Sequence, residues 1–199
     1  MQCTKWPRLP NWTPATALLI PQPASRAADD RLRDIAAGLA VAGGNPNFRR
    51  AILLCATGEI KGACDALARF DIPQAIHTGD KRIKAAVLAD PAMTFLFGAD
   101  DPEDVKVPID VWSSELGGAG VTQQSVASVS RKLPSSPVPH VVAYARHWVF
   151  LAPCSRGQAG NSPLICDDAS EFDRVAFHQM FNAELVKFFG THLIEGRAP

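Results

Sequence analysis

Apolar residues recur at helical spacing early in the chain and in near-continuous runs later. Between Asp29 and Ala42, Leu32, Ile35, Ala36 and Leu39 are spaced three and four apart, which predicts a helix. Gly43-Gly44-Asn45-Pro46 ends it. Phe48 to Phe70 predicts one or two short helices. One face is Ala51, Leu54 and Cys55, the other Ala63, Leu67 and Phe70, with Gly58 and Gly62 between them. Asp71 to Arg82 is a polar connector turning at Thr78-Gly79-Asp80.

From residue 83 the pattern changes. Ile83-Lys84-Ala85-Ala86-Val87-Leu88-Ala89 predicts a buried strand closed by Asp90-Pro91. Val105 to Trp112 predicts a second, with Pro108 at its start or edge. Thr122 is placed to cap a helix running to Leu133, with Val126, Val129 and Leu133 on one face. His140 to Ala145 predicts a third strand. Ser170-x-x-Asp173 has the form of a capping box before an amphipathic helix, whose stripe is Phe177, Phe181, Leu185, Phe188 and His192. An aromatic stripe at this spacing is core packing rather than a cofactor site.

Strands alternating with helices predict an α/β fold with a small, mainly parallel sheet, whose site lies at the strands' carboxyl ends. Three organisational units follow: an irregular proline-rich arm plus helix (1–42), a helical cap-like segment (43–82) and an α/β core (83–199). Three strands leave two sheet edges to cover, which a homo-oligomer would do.

Composition narrows the function. Apolar residues make up 47% of the chain, enough for a real core. Twenty basic and twenty acidic residues cancel, and no polybasic run marks a nucleic-acid surface. The apolar runs are too short to span a bilayer. The first residues carry Pro7, Pro10, Pro14, Pro21 and Pro23 around one short apolar run, Ala15 to Ile20. They do not read as a signal peptide, so the expected compartment is the cytoplasm. Asn11-Trp12-Thr13 fits a glycosylation acceptor, a pattern common by chance.

Of five cysteines, Cys55 with Cys64 and Cys154 with Cys166 are candidate local pairs, leaving Cys3. Buried free thiols are the alternative. Two cystines would imply an oxidising compartment, against the missing signal. There is no C-x-x-C, the histidines lack ligand spacing, and Gly117, Gly118 and Gly120 are not followed by the Lys-Ser/Thr of a phosphate loop. No metal and no cofactor are expected.

One histidine stands apart. His147 follows the strand-like run Val141-Val142-Ala143-Tyr144-Ala145, where an α/β enzyme displays a catalytic base. Yet the chain has no Gly-x-Ser-x-Gly elbow to present a serine to it.

Three segments carry a family resemblance: Ile83 to Ala92, Trp112 to Thr122, and His147-Trp148-Val149-Phe150-Leu151-Ala152-Pro153-Cys154. Phe172-Asp173-Arg174-Val175-Ala176-Phe177-His178 continues it. From about Gly43 to Leu193 the chain resembles the C-terminal half of dienelactone-hydrolase-like proteins of the α/β-hydrolase superfamily. It is also similar to bacterial relatives of platelet-activating-factor acetylhydrolase. The resemblance implies a serine hydrolase acting on small esters or lactones, ordered nucleophile, acid, histidine. His147 matches the histidine. The acid is expected in the glycine-rich loop after the strand ending at Trp112, where this chain has Ala119. Glu115 and Asp90, each just after a strand, are the substitute acids. Gly62-Ala63-Cys64-Asp65-Ala66 is similar to the Gly-x-Cys-x-Gly turn of dienelactone hydrolases, which makes Cys64 the fallback nucleophile, although the last glycine is missing. Relatives of this type are often exported, and a Cys154–Cys166 bridge would fit such an origin. The expectation is therefore a truncated α/β-hydrolase-like chain, catalytically impaired. The alternative is a non-catalytic binding protein or gene remnant.

Overall fold

The computed structural model describes residues 16–19, 39–40, 42–58, 64, 79–98, 102 and 104–195. Four strands form one sheet in the order β1 (Thr16–Leu19), β2 (Ile83–Ala89), β3 (Ile109–Ser114) and β4 (His140–Val142), every neighbouring pair parallel. The fold is thus a small parallel sheet flanked by helices.

Side chains of β2 and β3 point alternately to the two faces, as a pleated strand requires. Ala86 and Leu88 of β2 and Ile109 and Val111 of β3 face one core. That core is closed by Val126 and Val129 of α2 (Gln123–Lys132) and its C-cap Leu133, by Ala51 of α1 (Phe48–Ala56), and by Leu96 and Phe97 around a 3-10 turn at Thr94–Leu96. Val87 and Trp112 face the second core, with Val142, Ala145 and Val149. It is closed by Phe177, Phe181 and Leu185 of α5 (Arg174–Phe189). Burial on both faces explains why β2, apart from the exposed Lys84, reads as an apolar run rather than an alternation.

Several expectations hold to the residue. β2 spans the expected Ile83–Ala89, and Thr122 caps α2 through a reciprocal box with Ser125. Others shift. The arm expected to be irregular contributes β1, which joins the sheet beside β2. β3 starts at Ile109 rather than Val105, because Pro108 precedes it, and runs on through Ser113 and Ser114, both buried despite their hydroxyls. β4 ends at Val142, since Tyr144 takes a left-handed backbone (φ 57°) that leaves the strand. The cap of α5 is Asp173 itself, accepting from Ala176 N–H, so Ser170 is not the capping residue. Of the helix expected over 29–42, residues 39, 40 and 42 are described; 39 and 40 are helical and 42 is in a turn. Most of the cap-like segment after α1, Cys3 and Asn11-Trp12-Thr13 lie outside the described residues.

Both candidate cysteine pairs are bonded, Cys55–Cys64 and Cys154–Cys166. The second ties α4 (Pro163–Cys166) back to the segment before α3 (Arg156–Asn161). Buried Arg174 reinforces the junction. Its guanidinium donates to both Asp168 carboxylate oxygens and to Ile165 O (2.9 Å), the bidentate pairing that makes a buried arginine tolerable. Among the described residues, no helix is long and apolar enough to cross a membrane.

Candidate functional site

All four strands run the same way, so the residues that follow β2, β3 and β4 emerge on one edge of the sheet. Asp90 follows β2, Ser114 ends β3, and His147 lies five residues beyond β4. These three side chains meet.

Asp90 is 1% exposed and extends the β2–β3 ladder, its N–H donating to Trp112 O (2.9 Å). It then takes a left-handed backbone (φ 49°), which an aspartate tolerates better than most residues. The kink brings the carboxylate under β3. Asp90 Oδ1 accepts from Ser114 N–H (2.8 Å), and Oδ2 accepts from the Ser114 hydroxyl. Oδ2 also meets His147 Nδ1 at 3.2 Å. A carboxylate only accepts, so Nδ1 carries the hydrogen and Nε2 holds the lone pair.

His147 is 7% exposed and opens a 3-10 turn, His147–Phe150. The turn is held from three sides. His147 N–H donates to Gly117 O (2.8 Å). His178 on α5 spreads one Nε2–H over Val149 O (2.9 Å) and Leu151 O (2.8 Å). The Trp148 ring packs edge-on to the imidazole (centroids 4.7 Å). Among the described residues, Asp90 is the imidazole's hydrogen-bonding partner, and no buried side-chain nitrogen is left unsatisfied. Nε2 therefore faces accessible space. An anchored imidazole with an acid behind it and a free nitrogen in front is the geometry of a general base.

The other expected site residues lie elsewhere. Glu115 is exposed, and its Oε2 accepts from Tyr144 N–H (2.7 Å). It fixes the turn ahead of His147 and forms no ion pair with the imidazole. Ala119 lies in the Gly117–Gly120 loop with φ 50°. The carboxylate that reaches the imidazole is that of Asp90, at the end of β2, one of the two substitute acids expected. Cys64 is bonded to Cys55, so it offers no thiolate while that bridge stands. No described hydroxyl or thiol hydrogen-bonds to the imidazole. Sequence reasoning passed over Ser114 and His178. Polar Ser113-Ser114 at the end of an apolar strand was the available signal for the first. Nothing in the local sequence marks the second.

A cleft of about 550 Å³ begins on either side of His147 along the chain. Gly117, Gly118 and Ala119 supply one part of its wall, Arg146 and Trp148 another, and the α3–α4 segment, including Leu164 and Asp167, the rest. The imidazole itself does not line it. Gly118 has φ 130°, a backbone conformation that side chains other than glycine's rarely adopt, and it lies against His147 Cβ, which a Cβ at this position would meet at 3.4 Å. Among the described residues, no cluster of histidine, cysteine and carboxylates is arranged to hold a metal ion.

No family model, curated protein or solved structure matches the chain.

Proposed function

We propose that this chain is an α/β-hydrolase-lineage protein that holds a small ester or lactone against His147 and hydrolyses it slowly, with water as the nucleophile. The observation that carries this reading is the buried Asp90–His147 contact, with Nε2 left free.

The step is general-base hydrolysis. His147 Nε2 takes a proton from water as the water oxygen bonds to the carbonyl carbon and the C=O π pair moves onto oxygen. Asp90 stabilises the imidazolium so formed. The tetrahedral adduct then collapses, its bond to the leaving oxygen breaks, and the imidazolium returns the proton to that oxygen. Acid and alcohol are released. Such a base contributes about 10²–10⁴-fold. Without an elbow serine there is no acyl-enzyme route, so turnover stays far below that of a full triad. Two cystines favour an oxidising compartment for the protein, contrary to the cytoplasmic expectation.

The test is p-nitrophenyl butyrate turnover alongside a fluorophosphonate probe. Slow turnover, lost in His147→Ala and Asp90→Asn and accompanied by no covalent label, supports the proposal. A labelled serine or cysteine whose labelling needs His147 overturns the water route. Absence of turnover in folded protein leaves the non-catalytic binding role, which the lack of any described nucleophile at the imidazole favours.

A further inference from the structure

We infer that the Cys154–Cys166 bridge is a reducible site for a small thiol, which attacks Cys166 and expels Cys154 as a thiolate, and that its cleavage releases the α3–α4 segment. The bridge plays this part whether or not the chain hydrolyses an ester.

The two sulfurs differ in their surroundings. Cys166 is half-buried and lines the cleft of about 550 Å³, which has room for a small organic thiol. Cys154 has a buried cation beside it: Arg174 Nη1 donates to Cys154 Sγ (4.0 Å). The guanidinium is held there by Asp168, which shares its charge, and by Ile165 O. Asp167, exposed and next to Cys166, opposes negative charge on Cys166 Sγ and also slows an anionic attacker, so it reinforces the order of events and limits the rate. Thiol exchange depends on which sulfur can be reached and on how well the other carries charge as it leaves. Both favour the same polarity. Cys166 is reached from the cleft, and Cys154 leaves beside an arginine that cannot lose its proton.

The exchange balances with two thiols. The first thiolate forms a sulfur–sulfur bond to Cys166 as the Cys154–Cys166 bond breaks, and the electron pair departs on Cys154 Sγ. A second thiolate attacks the sulfur of the bound thiol, Cys166 leaves as thiolate, and the small disulfide diffuses away. The protein bridge is reduced and the two thiols are oxidised.

The bridge closes the ends of one loop, and α3 and α4 both lie inside it. None of the described side chains from 157 to 165 is buried, so no core contact anchors this loop between its ends. Cutting the bridge frees the end at Cys154, while Arg174 keeps Ile165 and Asp168 against α5. The loop opens and the sheet and α5 stay in place.

The test treats the full chain with reduced glutathione, quenches with acid, caps free thiols with N-ethylmaleimide and maps the peptides. Glutathione on Cys166 with maleimide on Cys154 should outnumber the reverse about tenfold. Arg174→Lys should keep this order and Arg174→Gln should lose it. Should Arg174→Gln fail to fold, Asp168→Asn, which strips the cation of its counter-charge, should speed cleavage several-fold. Trypsin reads the opening, because the Arg156–Gly157 bond is its one site between the two cysteines. That bond should be cut about tenfold faster after reduction, with circular dichroism unchanged. Cys154→Ser combined with Cys166→Ser should show the fast cutting without any thiol. An adduct on Cys154 or equally on both cysteines, a bridge that yields only in urea, or trypsin cutting indifferent to the bridge overturns the inference.

Discussion

Replacing Asp90 separates its charge from its shape. Three donors converge on this carboxylate: Ser114 N–H at 2.8 Å, the Ser114 hydroxyl, and His147 Nδ1–H at 3.2 Å. Asp90→Ala leaves all three without an acceptor in a site that is 1% exposed. Each buried unsatisfied donor costs about 1–3 kcal/mol. A left-handed alanine at φ 49° adds about 1 kcal/mol. The hydroxyl can rotate away and leaves two donors unsatisfied, so the net cost should be roughly 3–7 kcal/mol, a large share of the roughly 5–15 kcal/mol that holds a domain together. Asp90→Asn behaves differently. Its oxygen still accepts from Ser114 N–H. Its NH₂ meets the imidazole, which keeps a hydrogen bond only by moving its own hydrogen to Nε2. Charge-assisted bonds become neutral ones, for a loss of about 2 kcal/mol in all. The fold survives, but the lone pair on Nε2 is gone, and with it about 10²–10⁴ of rate. Urea denaturation followed by circular dichroism measures both costs, and ester turnover measures the second effect. Equal destabilisation by the two variants, or less than about 1 kcal/mol for Asp90→Ala, would refute this wiring.

Three further outcomes are expected of this structure. Phe181 packs against Trp112 (4.9 Å), Phe177 (5.3 Å) and Phe150 (5.6 Å), so Phe181→Ala should cost about 3–5 kcal/mol in urea denaturation and loosen the turn that carries His147. Gly117 has φ 63°, and a Cβ there would collide with Val121 O. Gly117→Ala should therefore destabilise the chain by more than about 1 kcal/mol and reduce turnover, because Gly117 O holds His147 N–H. The Arg82 guanidinium, through its hydrogen bonds, holds the Asp80 carboxyl down at about 2. A lowered folded-state value means that any stability from this pair is complete above the ordinary 3.8 and is lost as pH falls from there toward 2. The pair is exposed, so carboxyl NMR should show a midpoint near 2 that returns toward the ordinary value in Arg82→Ala or in high salt.

Where one physical signal dominated, the fold was legible in the sequence. β2 is buried on both faces from Ala85 on, and its sequence shows that as an apolar run broken only by the exposed Lys84 and ended by Asp-Pro. α2 has a capping threonine and a clean valine stripe. β1 was not legible, because four residues, three of them apolar, among prolines carry too little pattern to outweigh their surroundings. Only pairing with β2 makes them a strand. β4 was overestimated because an exposed tyrosine in a left-handed turn looks, in sequence, like one more β-former. The site was half legible. His147 stood out by its place after a strand. Its acid did not, because two candidates followed strands, and the decisive feature was a backbone kink at Asp90 that no spacing reveals. Glu115 lies equally close to the sheet edge, yet its carboxylate is taken by Tyr144 N–H.

The central claim is that Asp90 holds His147 with its hydrogen on Nδ1 and its lone pair on Nε2. Long-range nitrogen–proton NMR of the histidine rings, at a pH where His147 is neutral, reads this directly. The native chain should show the Nδ1–H tautomer, and Asp90→Asn should switch the ring to Nε2–H. An Nε2–H tautomer in the native chain, or a pattern indifferent to Asp90→Asn, would contradict it.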